Sequence, residues 1–326
     1  MKAIVCKGYG PAEQLVFEEV ASRALQPDEV RVRVRAAGVN FPDSLIIQGL
    51  YQFRPDPPFS PGAEVAGEVV ELGGEVRHVR VGDPVMCTMR WGGYADEVVV
   101  PGPRVFPVAK GMDFVTAAAF PMVYGTAYHA LKQRGELAKG ETLLVLGAAG
   151  GVGLAAVELG KIMQARVIAA AGSDEKLAVC REYGADELIN YSQGSLKEQV
   201  RALTDGKGAD VIFDPVGGDA FDQCLSAINW KGRLLVIGFA SGTIPKAAAN
   251  RILLKGCSVV GVFWGAFMER EPQLARDNFL ALFELFESGR IHPHVSETYP
   301  LKDAARALQA LTARRTTGKI VLTVDE

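Results

Sequence analysis

The chain is poor in cysteine, and none of its cysteines forms a C-x-x-C pair. Five cysteines are scattered over 326 residues, which argues against a disulfide framework and against a cysteine-based zinc knuckle. No run of about 18 uncharged apolar residues occurs, and the N-terminus lacks the apolar segment of a signal peptide. We therefore expect a cytoplasmic protein that does not span a membrane.

An excess of positive charge is also lacking. The sequence has 35 Lys and Arg against 38 Asp and Glu, a formal net charge of −3, so nothing predicts nucleic acid or an anionic membrane as a partner. The alternating segment Arg31 to Arg35 is interpreted as the solvated face of a strand. A hydrophobic fraction of 48% and a length suited to two domains indicate an ordinary globular protein.

Residues 1–110 are rich in β-branched residues, glycine and proline, and they contain short alternating runs. Such runs predict an antiparallel, barrel-like body. Helices are predicted at 113–120 and 121–134, the second ending near Gly135. The predicted strands of this part are Met1 to Lys7, Val30 to Val34, Glu64 to Val70, Asp83 to Cys87 and Asp96 to Val100.

From residue 140 onward, apolar strand-length runs alternate with helical patterns. This rhythm predicts a doubly wound parallel sheet, so the fold class is α/β. An amphipathic helix is predicted at 274–288, and a last helix (303–313) and strand (319–324) are expected to rejoin the first domain. The predicted domains are 1–124 with 265–326, and 125–264. The six predicted strands are 142–147, 166–171, 187–190, 210–214, 233–238 and 257–263.

The most informative segment is a glycine-rich turn at 147–153, between an apolar strand and an apolar-periodic helix. Its spacing, Gly147-x-x-Gly150-x-x-Gly153, departs from the usual G-x-G-x-x-G because Ala149 stands where the middle glycine belongs. Such a turn lets backbone N–H groups at a helix N-terminus approach a phosphate closely. The segment therefore predicts a dinucleotide pyrophosphate site.

The end of the second strand indicates which dinucleotide binds. NAD sites usually place an acid there for the ribose hydroxyl, whereas this strand ends in Gly172-Ser173, with Lys176 and Tyr191 nearby in sequence. A small residue, a hydroxyl and a lysine favour a 2′-phosphate, and therefore NADPH over NADH. The adjacent Asp174-Glu175 would place negative charge beside that pocket, or would simply complement the helix dipole.

Further turns follow the later strands, at the sheet edge where ligands bind in open α/β folds. Each glycine in these turns, taken alone, is as consistent with a plain turn as with a ligand contact. The turns are Asp214 to Gly218, Gly238 to Ala240 and Val262 to Trp264.

More motifs occur in order along essentially the whole chain. They are Ala36 to Asp43 (AAGVNFPD), Pro61 to Gly67 (PGAEVAG), Gly125 to Tyr128 (GTAY), Asp186 to Tyr191 (DELINY) and Gly318 to Leu322 (GKIVL). Together with the glycine turn, they resemble the zinc-independent quinone reductases of the medium-chain dehydrogenase/reductase superfamily, the group that includes zeta-crystallin.

The resemblance implies a GroES-like, partly open β-barrel catalytic domain and a Rossmann domain that binds NADPH. It also implies a homodimer, in which the apolar sixth strand, Ser258 to Phe263, pairs with its copy. Carried over by position, the cofactor-binding residues fall into three groups. The pyrophosphate group is Ala149, Gly150, Gly151 and Val152; the 2′-phosphate group is Gly172, Lys176 and Tyr191; the nicotinamide group is Thr126, Gly238, Phe239, Phe263 and Trp264.

The chain departs from the zinc-dependent relatives of this superfamily. They carry Gly-His-Glu where this sequence has Gly62-Ala63-Glu64, and a zinc-binding cysteine where it has Asn40. Because catalytic zinc needs three protein ligands of N, S or carboxylate type, we predict no metal. The four-cysteine lobe is also missing, since Cys87 stands alone, and His292-Pro293-His294 is interpreted as a surface turn.

Without a metal, the acceptor of the hydride must already be activated, as quinones and conjugated enones are. Asn40 is the candidate catalytic residue, as a donor to the developing oxyanion, although a structural turn asparagine is the alternative. Related reductases often carry tyrosine where this chain has Leu45. Three functions stay open: a quinone reductase, an ene-reductase for alkenals, enones or acryloyl-CoA-like thioesters, and an NADPH-binding protein with little turnover.

Overall fold

The computed structural model describes residues 1–324. Within them the chain forms the following strands: β1 (Lys2–Val5), β2 (Val16–Glu19), β3 (Glu29–Val39), β4 (Glu64–Leu72), β5 (Pro84–Thr88), β6 (Glu97–Pro101), β7 (Val105–Pro107), β8 (Thr142–Leu146), β9 (Arg166–Ala171), β10 (Glu187–Asn190), β11 (Ala209–Asp214), β12 (Ile228–Val236), β13 (Ser258–Gly261), β14 (Val295–Pro300) and β15 (Lys319–Thr323).

The helices alternate with strands from β8 to β13, as the sequence predicts. They are α1 (Phe41–Ile46), α2 (Phe114–Ala118), α3 (Pro121–His129), α4 (Gly151–Ile162), α5 (Asp174–Glu182), α6 (Leu196–Leu203), α7 (Gly218–Ala227), α8 (Ala249–Lys255), α9 (Trp264–Arg270), α10 (Pro272–Glu287) and α11 (Ala304–Thr312).

The chain divides into two compact units. Unit 1 comprises Met1–Met122 and Pro293–Glu326, and unit 2 comprises Val123–His292. The sequence-based boundary at 264 therefore lies too early. Helices α9 and α10 belong to unit 2, because the Trp264 ring contacts Phe279 edge-on and the side-chain amides of Gln133 and Asn278 are hydrogen-bonded.

Unit 1 contains a two-stranded antiparallel sheet, β1-β2, and a seven-stranded sheet. The larger sheet follows the order β14-β15-β3-β4-β5-β7, with β6 also paired to β3. Within residues 1–324, β14 and β15 pair in parallel, and the other pairings of this sheet are antiparallel. The predicted barrel-like body is confirmed, whereas the short elements β2, β7 and α1 were not predicted.

Strand β3 shows why this sheet forms. Its valines at 30, 32 and 34 are almost completely buried in the core of unit 1, and arginines alternate with them. The guanidinium of Arg31 pairs with Glu71 and Glu97 on the two neighbouring strands. Arg35 likewise pairs with Glu68 of β4, so cross-strand ion pairs occupy much of this polar face.

Unit 2 contains a six-stranded, fully parallel sheet in the order β10-β9-β8-β11-β12-β13. All six predicted strands are present, with ends that differ by a few residues. The central strands β8, β9 and β11 are near-continuous apolar sequences buried on both faces, as expected for parallel strands. The strand order reverses between β8 and β11, and in such sheets ligands bind beyond the carboxyl ends of the strands at this point.

Candidate cofactor site and buried polar cluster

The glycine turn connects the end of β8 to the start of α4 in unit 2. Gly147 has a φ of +54°, and Gly150 is the N-cap of α4 with no side-chain hydrogen bond to the helix. The predicted pyrophosphate residues Ala149, Gly150, Gly151 and Val152 lie in this turn and in the first helical turn. Because no side chain caps them, the first N–H groups of α4 are suited to bind an anionic group.

Two glycines of this turn differ in what surrounds them. A Cβ at Gly153 would clash with the carbonyl oxygen of Gly147 and would lie 2.7 Å from Cα of Ala148, so close packing requires glycine there. A Cβ at Gly150 would meet only the Gly147 oxygen, at 3.4 Å. The protein's own packing therefore leaves space at Gly150, and the turn fits a bound dinucleotide.

The predicted 2′-phosphate residues come together at the ends of β9 and β10. Tyr191 donates its backbone N–H to the carbonyl of Ala171, at 3.2 Å, and its ring would lie 3.5 Å from a Cβ at Gly172. Ser173 caps α5 by accepting the backbone N–H of Lys176. The structure thus places Gly172, Lys176 and Tyr191 in one short region of unit 2.

The acidic pair beside this region differs in its contacts. The Asp174 carboxylate accepts hydrogen bonds from the side-chain amides of Asn190, at 2.7 Å, and Gln193, at 3.2 Å. Glu175 is exposed, and hydrogen bonds from its own backbone N–H and from Ser173 lower the pKa of its carboxyl. Sequence reasoning identified the two acids and missed the amides that hold Asp174.

The loops after β11 and β12 contact each other. The buried carboxylate of Asp214 accepts the N–H groups of Val216, at 2.8 Å, and Gly217, at 2.9 Å, which shapes the first loop. Burial raises the pKa of the Asp214 carboxyl. Ala240 donates its N–H to the carbonyl of Pro215. The predicted residues Gly238 and Phe239 lie in the second loop, directly before Ala240.

The remaining predicted nicotinamide residues have different exposures. Phe263 exposes 46% of its surface, whereas Trp264 exposes 7% and begins α9 instead of closing β13. The indole ring lies against α3, where a Cβ at Gly125 would be 2.7 Å from Cζ2 of Trp264. Thr126 is the next residue of α3, so the fold brings the Thr126 backbone close to Trp264.

Asn40 lies in unit 1, in a buried polar cluster. The Lys319 ammonium donates hydrogen bonds to Oδ1 of Asn40, at 2.7 Å, to Oε1 of Glu64, at 2.7 Å, and to the Val39 carbonyl, at 2.9 Å. The side-chain amide of Asn40 donates to Oε1 of Glu64, at 2.8 Å, and to the carbonyl of Gly38, at 3.4 Å. Both amide hydrogens are therefore used within the protein.

A second buried acid joins the same cluster. Asp43 Oδ2 accepts the backbone N–H of Asn40, at 2.8 Å, and the hydroxyl of Tyr94, at 2.9 Å. Burial raises the pKa of the Asp43 carboxyl to about 7, although these hydrogen bonds and the Lys319 charge oppose the rise. Sequence reasoning singled out the motifs that contain Glu64 and Lys319 without pairing them, because 255 positions separate the two residues.

No metal cluster is found in the described part of the chain. Residues 1–324 contain no group of three or more His, Cys, Asp or Glu side chains that could hold a metal ion. The two histidines near 293 have separate partners, since His292 Nδ1 lies 3.5 Å from Glu158 and His294 Nε2 lies 2.9 Å from Thr317.

None of the helices within residues 1–324 is long and apolar enough to span a bilayer.

Comparison with protein families agrees with both units. The family described as alcohol dehydrogenase GroES-like domain matches residues 26–110, and the family described as zinc-binding dehydrogenase matches residues 151–280. A GroES-like domain followed by a Rossmann-type sheet with a glycine turn defines an oxidoreductase of the medium-chain dehydrogenase/reductase superfamily.

Individual relatives narrow this class. The chain is 41% identical to quinone oxidoreductase-like protein 2 of Bos taurus, over 95% of this chain and 89% of the relative. It is 36% identical to a quinone oxidoreductase of Pseudomonas aeruginosa, over 98% of this chain and 99% of the relative. The structure of Escherichia coli quinone oxidoreductase in complex with NADPH matches this chain with a TM-score of 0.93 and 29% identity. The match covers 99% of this chain and 100% of that one. The chain belongs to the quinone oxidoreductase-like members of the superfamily, which confirms the predicted family.

Proposed function

We propose that the chain is an NADPH-dependent reductase that reduces quinones by hydride transfer without zinc. The observation that carries the cofactor assignment is the end of β9, where Gly172 and Ser173 take the place of an acid. Lys176 in the first turn of α5 and Tyr191 beside Gly172 supply a cation and a hydroxyl for a 2′-phosphate. The NADPH complex of the Escherichia coli relative supports the same assignment.

The residues that would hold the cofactor have separate tasks. The N–H groups of Gly151 and Val152 would bind the pyrophosphate, because no side chain caps the start of α4. Gly150, whose own N–H donates to the Gly147 carbonyl, would leave room for the phosphate. The nicotinamide half would lie near Thr126 and the loops after β12 and β13, which carry Gly238, Phe239, Phe263 and Trp264. When bound, NADPH supplies the hydride. The protein's contribution is to bind and orient the nucleotide and a flat acceptor and to exclude water.

Zinc is not part of this proposal. Ala63 has no ligating atom, and Oδ1 of Asn40 already accepts a hydrogen bond from the ammonium of Lys319. The same ammonium contacts Glu64, so a zinc ion bound to these oxygens would lie beside a fixed positive charge. These residues therefore do not fit a catalytic zinc ion, which needs three protein ligands.

Asn40 is proposed to influence turnover by positioning its neighbours. Its amide donates both hydrogens inside the protein, and it links the backbone before α1 to Glu64 and Lys319. Donation to a substrate oxyanion would require one of these bonds to break. A positioning role for Asn40 therefore agrees better with these contacts than direct donation to the substrate does.

One assay separates the three functions that the sequence leaves open. Oxidation of NADPH is followed with 9,10-phenanthrenequinone, with 1,4-benzoquinone and with a panel of enones, on the same preparation. Preferential turnover of the quinones supports the proposal. Preferential turnover of enones supports an ene-reductase, and tight NADPH binding without turnover of any acceptor supports the non-enzymatic alternative.

We also propose that two copies associate through β13. This strand pairs with β12 on one side, and within residues 1–324 no strand pairs with its other edge. The nearby helix α8 exposes Leu253 and Leu254, and a two-fold pairing of β13 edges would cover apolar surface of this kind. Sedimentation should show a dimer, and a monomer at micromolar concentration would contradict this assignment. A cytoplasmic location remains a prediction.

A further inference from the structure

Asp174 places a carboxylate next to the proposed 2′-phosphate region. It is the first residue of α5, two positions after Gly172 and two before Lys176. A free carboxylate at this point would repel the phosphate that distinguishes NADPH from NADH. The negative charge of Asp174 would therefore oppose binding of the 2′-phosphate, unless the protein holds the carboxylate in a fixed position.

Two side-chain amides bind this carboxylate. Asn190 Nδ2 donates to Oδ1 of Asp174, at 2.7 Å, and Gln193 Nε2 donates to Oδ2, at 3.2 Å. Each oxygen of the carboxylate thus accepts a hydrogen bond from the segment that follows β10. Hydrogen bonds to an ionised acceptor are stronger than those between neutral groups, so they restrain the carboxylate effectively.

The orientation of the Asn190 amide is fixed by its other end. Oδ1 of Asn190 accepts the backbone N–H of Ser192, at 3.1 Å, and the Ser192 hydroxyl, at 2.6 Å. Because a backbone N–H only donates, the oxygen of the amide must face Ser192, and the amino group must face Asp174. Asn190 is 8% exposed, so it is held in the protein rather than solvated.

We propose that Asn190 and Gln193 determine cofactor specificity by holding the Asp174 carboxylate away from the 2′-phosphate of NADPH. This inference rests on the proposed function, since it concerns the same nucleotide region. The turn that binds Asp174 also carries Tyr191, whose ring lies beside Gly172. One short segment therefore restrains the unfavourable charge and supplies a hydroxyl to the same region.

Four variants of the full chain test the proposal. Gln193→Ala removes one exposed amide, and Asn190→Ser keeps an acceptor for the Ser192 N–H but is too short to replace the donor to Asp174. Asp174→Asn removes the charge itself and is also combined with Asn190→Ser. Gln199→Ala is the matched control, because its amide donates to the backbone carbonyl of Asn190 and not to Asp174.

The measurement is the Kd of NADPH and of NADH, by titration of nucleotide fluorescence. Asn190→Ser and Gln193→Ala should raise the Kd of NADPH about three- to tenfold and change that of NADH less than about twofold. The combination of Asn190→Ser with Asp174→Asn should restore NADPH affinity. A purely structural role of Asn190 would not give this rescue, and Gln199→Ala should leave both constants unchanged.

Other results would overturn the inference. These are an unchanged ratio of the two constants in Asn190→Ser and Gln193→Ala, or an equal loss for both nucleotides that Asp174→Asn does not rescue. In either case a wild-type protein that prefers NADPH would leave the proposed function intact. A wild-type protein that binds neither nucleotide would instead contradict the proposed function itself.

Discussion

The ammonium of Lys319 lies 2.7 Å from Oε1 of Glu64, and both side chains are almost completely buried in unit 1. The other carboxylate oxygen of Glu64 accepts the backbone N–H of Met122, at 2.8 Å. The ammonium and both carboxylate oxygens of this pair are thus hydrogen-bonded within the protein. Burial makes each charge dependent on its partner, because the loss of one leaves the other desolvated and uncompensated.

Removing the buried ammonium should destabilise the protein strongly. Lys319→Met leaves the Glu64 carboxylate without its cation, and we expect the free energy of unfolding to fall by about 3–5 kcal/mol. Arg306→Met, which breaks the exposed pair with Asp303, should change it by less than about 1 kcal/mol. Urea unfolding of the full chain measures both variants. A loss for Lys319→Met no larger than in this control would contradict the account of the cluster.

Asp43 should make stability depend on pH. Burial raises the pKa of its carboxyl from 3.8 to about 7 in the folded protein, so the folded state binds the proton more tightly than the unfolded state does. The contribution is therefore complete below about pH 4 and is lost as the pH rises through about 7, with a total of up to about 4 kcal/mol.

Asp43→Asn tests this prediction, because the amide resembles the protonated acid in shape and cannot ionise. Between about pH 4 and pH 7, the wild type should lose stability relative to Asp43→Asn, as measured by urea unfolding at a series of pH values. If the two proteins show parallel stability profiles over this range, the carboxyl of Asp43 titrates as it does in the unfolded chain.

Two glycines of the turn offer a matched comparison. Gly153→Ala places a methyl group against the backbone of residues 147 and 148, so it should lower the free energy of unfolding by about 1–3 kcal/mol. Gly150→Ala meets only one protein atom, at 3.4 Å, and Gly150 has a φ of −78° that alanine adopts readily. Its stability should change by less than about 0.5 kcal/mol.

Gly150→Ala should weaken nucleotide binding even though it should hardly change stability. A methyl group there would occupy space beside the N–H groups that start α4, so Gly150→Ala should weaken NADPH binding about tenfold or more. Thermal unfolding measures the stability of each variant, and nucleotide titration of the same preparations measures its NADPH affinity. Wild-type affinity in Gly150→Ala would show that the pyrophosphate lies elsewhere.

Asn40→Ala should lower quinone turnover while leaving the Kd of NADPH unchanged. The reason is that the variant removes a link between Glu64 and Lys319 in unit 1, whereas the proposed nucleotide-binding residues lie in unit 2. Asn278→Ala is the control, because it also removes a buried amide, one that is bonded to Gln133. An unaltered turnover in Asn40→Ala, or an equal decrease in both variants, would remove Asn40 from the mechanism.

The parallel sheet could be predicted from the sequence because its signals are local. Each strand is an apolar run followed by a turn, and the glycine turn precedes a helix with an apolar period. The sequence predicts that Phe263 and Trp264 close the sixth strand of this sheet, yet Trp264 begins a helix, because its indole packs against Gly125 and Phe279. Local sequence thus predicts where β13 begins, whereas tertiary packing determines where it ends.

The polar contacts could not be predicted from the sequence. The bond between Glu64 and Lys319 depends on β4 and β15, which lie on either side of β3 only in the folded sheet. Likewise, the amides of Asn190 and Gln193 reach Asp174 because β10 pairs in parallel with β9. From the sequence, Asp174 is interpreted as a charge beside the pocket or as a complement to the helix dipole, and the two amides that bind it emerge only from the fold.

The central claim is that the protein transfers hydride from NADPH to a quinone without zinc. The most direct test is the rate of NADPH oxidation with 1,4-benzoquinone, measured on preparations whose zinc content is determined before and after treatment with a chelator. The account predicts quinone-dependent oxidation at the same rate in both preparations, with zinc far below one ion per chain. Absence of quinone-dependent oxidation, or a rate that rises and falls with bound zinc, would contradict it.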